Sequence, residues 1–84
     1  MQVGRVIGTA TATVKHPSLQ GERMLVVQLL TLAGTPDGEP VIAFDRQGAG
    51  RGDRVLLTND GRAMQDMLGP DTPARWSVMA IPDG

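Results

Sequence analysis

The sequence predicts a small, mainly β domain in which five strands form a closed or partly open barrel and one short α-helix precedes the last strand. Three observations point there. Thr9-Ala10-Thr11-Ala12-Thr13-Val14 alternates threonine with small apolar residues, the period of two that a half-buried strand requires. Met24 to Leu32 is a nearly continuous apolar run, too short for most helices and bounded by turn residues. Glycine and proline clusters cut the rest into short pieces, only one of which carries a helical repeat.

Each element has its own signal. The first strand is expected over Val3 to Val14, with Gly4 and Gly8 inside it marking a bulge, a bend or a close backbone approach. His16-Pro17 ends it, because the residue before proline is pushed out of helical space and proline donates no hydrogen bond. A polar connection through Gly21-Glu22 leads to Met24–Leu32, which fits a strand covered on both sides or a short helix. Val26 and Val27, with the flanking turns, favour the strand. Gly34-Thr35-Pro36-Asp37-Gly38-Glu39 reads as a turn, Pro40–Phe44 as a short strand and Gln47–Gly52 as a glycine-rich loop. Arg54–Thr58 is the fourth strand, and Asn59-Asp60-Gly61 turns the chain. Ala63, Met64, Met67 and Leu68 then share one helical face over Arg62–Leu68, with Asp60 as its cap and Gly69-Pro70 as its stop. Trp76–Ile81, between Pro73 and Pro82, is the fifth strand. Five short strands with a helix before the last suggest an OB-like barrel.

The 84 residues hold a single domain, residues 1–84, and a chain of this size has a marginal core. Small domains add disulfides, a metal or a partner subunit. There is no cysteine, and His16 is the only histidine, so neither a disulfide nor a histidine-rich metal site is expected. Oligomerisation is the remaining staple. Seven of the eight basic residues are arginine, Lys15 being the exception. Arginine suits protein contacts, although a GC-rich coding sequence enriches it equally. A formal net charge of −1 gives no basic field for nucleic acid or an anionic membrane. No apolar run approaches the roughly 20 residues of a membrane span, and the N-terminus has no signal-like apolar core. The expected compartment is the cytoplasm.

Catalytic chemistry has little footing. The loop Gly48-Ala49-Gly50-Arg51-Gly52-Asp53 lacks the Gly-Lys-Ser/Thr of a phosphate-binding loop. Its spacing also differs from a dinucleotide fingerprint, and a strand rather than a helix follows it. Two structural readings remain for these six residues: a tight connection, or a subunit contact in which glycine lets a second chain approach closely. Arg51-Gly52-Asp53 matches a cell-adhesion tripeptide by chance. The acidic residues are scattered, and His16 beside Ser18 has no third group to orient it. No catalytic, cofactor-binding or metal-binding residue is expected, and no enzyme. The rival function for an OB-like barrel is single-stranded nucleic-acid binding. That needs a basic groove and aromatic platforms, and Phe44 and Trp76 are the only aromatics.

At this point several segments resemble one family, the EutN/CcmL-type vertex proteins of bacterial microcompartments and carboxysomes. Met1-Gln2-Val3-Gly4-Arg5-Val6-Ile7-Gly8 is similar to their opening strand, and Thr13 to Gly21 to their Thr-x-Lys…Leu-x-Gly segment. Asp45-Arg46-Gln47-Gly48-Ala49-Gly50-Arg51-Gly52-Asp53-Arg54-Val55 resembles the family signature Asp-x-x-Gly-Ala-Gly-x-Gly-Asp/Glu-x-Val. Met79-Ala80-Ile81-Pro82-Asp83 is similar to the closing strand. Gln47 and Arg75-Trp76 depart from the pattern, which usually has an apolar residue at the first position and an Asp followed by small residues at the second. The resemblance implies an OB-like barrel that forms a homopentamer, caps the five-fold vertices of a shell and meets hexameric shell proteins. It implies a structural role for Gly48–Asp53 at the subunit interface, and no cofactor, nucleic acid or membrane.

Overall fold

A computed structural model describes residues 2–10, 21, 23–70 and 75–82. Five strands and a helix follow in order: β1 Gln2–Ala10, β2 Arg23–Leu30, β3 Val41–Asp45, β4 Arg54–Thr58, α1 Gly61–Leu68 and β5 Ser77–Ala80. The strands close in the order β1-β2-β3-β5-β4 and back to β1. All pairings are antiparallel except β3 with β5, which touch in parallel at Phe44 and Ser77. This is the expected mainly β barrel with its helix before the last strand.

The apolar run after Arg23 is a strand and not a helix. It sits between β1 and β3, with Leu25 and Val27 fully buried. It ends at Leu30, two residues before the expected Leu32, because Thr31 starts a turn. The Thr31 carbonyl accepts from the Gly34 N–H at 2.9 Å, and the Thr31 and Thr35 hydroxyls lie 2.8 Å apart. Leu32 is left fully exposed at the hairpin tip. β3 begins at Val41 and not at Pro40, which has no N–H for the ladder. β5 is shorter than Trp76–Ile81 at both ends. The expected first strand is seen from Gln2 to Ala10; its remaining residues and the His16-Pro17 connection lie outside the described residues.

Gly4 allows the close approach of β1 to β2, and Gly8 lies beside a bulge, with space for a Cβ. A Cβ on Gly4 would lie 2.5 Å from Val27 Cγ1 and 3.1 Å from the Gln28 carbonyl oxygen, so only glycine lets β1 sit this close to β2. Val6 pairs with Val27 and Gly8 with Val26, leaving Ile7 as the extra residue of a bulge. Such a bulge sharpens strand twist, which a five-stranded barrel needs.

Inside the barrel Val6, Leu25, Val27, Ala43, Ala49, Val55, Leu57 and Val78 form one apolar cluster. Met24, Phe44 and Met64 form a second, where α1 lays its one buried residue on the strands. The Asp60 carboxylate caps α1 by accepting from the N–H groups of Arg62 and Ala63, as its position before the repeat predicts. Gly69, at φ 102°, ends it and donates to the Gln65 carbonyl.

Candidate functional site

The loop between β3 and β4 is built around one buried carboxylate. Asp45 ends β3 with its side chain fully buried, and accepts 2.8 Å hydrogen bonds from the Gln47 N–H, the Ala49 N–H and the Arg23 guanidinium. The bond to Gln47 is an Asx-type turn, which an aspartate before a glycine-rich stretch favours. Arg23 also donates to the Ala49 carbonyl, so β2 and the loop are clamped through two groups.

Beyond Ala49 the loop secures itself. The Asp53 carboxylate accepts from the Gly50 N–H at 2.8 Å, and the Asp53 N–H returns a bond to the Gly50 carbonyl at 2.9 Å. The edge of β1 completes the frame: Gly52 N–H donates to the Val6 carbonyl, and Val6 N–H to the Asp53 carbonyl. Gly48 at φ 84° and Gly52 at φ 90° occupy left-handed backbone where a side chain strains the chain. Gly50 does not; a Cβ there would meet only the Asp53 carboxylate, at 3.8 Å.

The six expected interface residues therefore divide. Ala49 lies wholly in the subunit's own core and anchors the loop, so its side chain offers nothing to a neighbour. Gly48, Arg51 and Gly52 are exposed, while Gly50 and Asp53 are half-buried with their polar groups turned onto each other. Together the six form a hydrogen-bonded stretch whose exposed residues are Gly48, Arg51 and Gly52. Sequence reasoning quoted Asp45 but did not see it as the organiser, and it missed Arg23 and Val6. Asp before a glycine-rich stretch was the readable signal for Asp45; nothing local links Arg23 to it across 22 residues.

Of the departures from the family pattern, Gln47 is exposed and contributes its backbone N–H to Asp45. Trp76 is half-buried against the main core cluster, and its carbonyl accepts from the Phe44 N–H; Arg75 is exposed. His16 and Ser18 lie outside the described residues. Among the described residues no three histidine, cysteine or acidic side chains gather as metal ligands. No helix among the described residues is long and apolar enough to cross a membrane. Among the described residues the arrangement fixes the loop backbone, with the Asp45 and Asp53 carboxylates turned onto its N–H groups.

Known proteins share this whole plan. The vertex protein EutN of the Escherichia coli K12 microcompartment shell is 34% identical over 83 residues, spanning 99% of this chain and 87% of that one. The carboxysome shell vertex protein CcmL of Synechococcus elongatus is 39% identical, spanning 99% and 84%. Among solved structures, CcmL of Gloeobacter violaceus superposes with a TM-score of 0.84 at 36% identity, covering 99% of this chain and 86% of that one. The pentameric microcompartment shell protein GrpN of Rhodospirillum rubrum superposes at 0.83 with 34% identity, covering 100% and 94%. Barrel, loop and likeness together define the class, that of bacterial microcompartment shell vertex proteins. Within it, the chain belongs to the family described as ethanolamine utilisation protein EutN/carboxysome, whose profile matches residues 1–83.

Proposed function

We propose that five copies of this chain close a ring that caps a five-fold vertex of a bacterial microcompartment shell, seated among hexameric shell proteins, with no catalytic role. The carrying observation is the full-length likeness to shell vertex proteins, one of them pentameric in its solved structure. The geometry agrees with it. A flat hexagonal sheet closes only when five-fold points are inserted, and a small rigid wedge repeated head to tail supplies one. A ring also adds buried surface to a core held by neither disulfides nor thiolate metal sites, the chain having no cysteine. On this reading the chain works in the shell inside the bacterial cell and needs no cofactor, membrane or nucleic acid.

The single-stranded nucleic-acid alternative loses its platforms. Phe44 is fully buried, and Trp76 is half-buried against the core, which leaves no pair of open aromatic platforms for successive bases.

The loop Gly48–Asp53 belongs to the subunit interface on this proposal, and Gly50 tests it. Sequence reasoning expects Gly50→Val to strain the loop, to crowd a neighbour, or both. Gly50 has no left-handed φ and has room for a Cβ, which leaves the second effect. Gly50→Val is expected to keep the circular dichroism spectrum of the barrel, to lose the ring, and to leave shells open or elongated when it replaces the unaltered chain. Normal rings and closed shells with this variant would reduce the loop to an ordinary turn.

A further inference from the structure

Arg5 and Arg54 stand directly opposite each other across the β1–β4 ladder, both exposed on the outer face. Like charges in this relation destabilise a sheet. Neither meets a carboxylate among the described residues; Arg5 donates instead to the Gly52 carbonyl, at 3.2 Å. Two residues along each strand, and so on the same face, Val3 pairs with Leu56. On the other side Ile7 protrudes at the bulge, 43% exposed. An arginine pair that no described carboxylate neutralises, set among apolar residues, is a surface suited to a partner that carries both carboxylate and apolar groups.

The chain carries such a partner elsewhere. Among the described carboxylates, Asp45, Asp53 and Asp60 are taken by backbone N–H groups, and Asp66 lies one helical turn after Arg62. Asp37 and Glu39 remain, together on the hairpin between β2 and β3. This segment has no basic residue, is exposed from Leu32 to Pro40, and bears the fully exposed Leu32 at its tip. It is also preformed. Thr31 N–H donates to the Thr35 carbonyl, Asp37 N–H to the Leu29 carbonyl, and the Gln28 side chain to the Gly38 carbonyl.

We propose that the Arg5–Arg54 face receives the Asp37–Glu39 hairpin of a second copy of this chain, with Leu32 laid against the apolar residues beside the arginines. Two different patches of one chain meeting in this way make a head-to-tail contact, which closes a ring when the rotation permits. The inference rests on the five-fold reading and assigns its charge pairing. Rigid segments bind at low ordering cost, which suits a hairpin already fixed by its own hydrogen bonds.

Charge exchange tests it. Native mass spectrometry over a dilution series would compare the unaltered chain, the pair Arg5→Glu with Arg54→Glu, the pair Asp37→Arg with Glu39→Arg, and all four changes in one chain. Each reversal alone should raise the concentration of half-assembly at least about tenfold, since it sets like charges against each other. The combined chain should return towards the unaltered value, because every contact is then complementary with its signs exchanged. Circular dichroism checks each variant for folding, and Arg5→Asp with Arg54→Asp replaces the glutamate pair if the latter unfolds. Pair variants that assemble as the unaltered chain does, or a combined chain no better than the pairs, would overturn the hairpin contact while leaving the ring intact. An unaltered chain that stays monomeric would overturn the ring, and the contact with it.

Discussion

Removing the Asp45 carboxylate should cost more stability than any other single change in the loop. Asp45→Ala leaves the buried Ala49 N–H without an acceptor, a loss of about 1–3 kcal/mol. The Gln47 N–H belongs to an exposed residue and recovers a water, so it adds less. The Arg23 side chain is 45% exposed, and its ion pair is discounted accordingly, to about 1 kcal/mol or below. The total is about 2–4 kcal/mol, against a stability of about 0.05–0.15 kcal/mol per residue for a domain of this kind. The loop would then detach from β2 before the barrel opens. Urea unfolding followed by the fluorescence of Trp76, the only tryptophan and packed on the core, reads this directly. All variants must be compared at one protein concentration, because assembly adds to apparent stability. Arg23→Ala is the control and should cost about 1 kcal/mol, with Asp45→Asn falling between the two. If Asp45→Ala costs no more than Arg23→Ala, Asp45 does not organise the loop.

Other positions give sharper contrasts. Gly4→Ala should destabilise by about 1–3 kcal/mol or fail to fold, since the new methyl meets Val27 and the Gln28 backbone; an unchanged urea midpoint would show that β1 and β2 can part freely. Gly48→Val should lower stability by about 1–3 kcal/mol through its left-handed backbone, whereas Gly50→Val should not; equal midpoints for the two would contradict the backbone assignment. Labelled single-stranded DNA and RNA oligomers should give no fluorescence-anisotropy change at physiological salt, and salt-sensitive binding below micromolar would favour the nucleic-acid alternative.

The fold was largely legible because its signals are local. Arg54–Thr58 has the bounds its sequence predicts, and Asp60, Gly69 and the apolar spacing set the helix within a residue. What escaped the sequence is tertiary. The parallel contact of Phe44 with Ser77, which closes the barrel, joins residues with no shared local pattern. Gly8 signalled a bulge, but the extra residue is Ile7, because register follows from pairing with Val26 and Val27. The apolar run could not show that Leu32 leaves the sheet, since the turn is held by two threonines and not by the leucine. In the loop, composition marked three glycines alike. Only the backbone separates Gly48 and Gly52, which need a left-handed conformation, from Gly50, which does not.

The mass of the native assembly tests the central claim most directly. Native mass spectrometry or light scattering of the purified chain at micromolar concentration should give five chain masses of 8.9 kDa each, persisting on moderate dilution. A stable monomer, or a closed assembly of any other number, would contradict the five-fold vertex role.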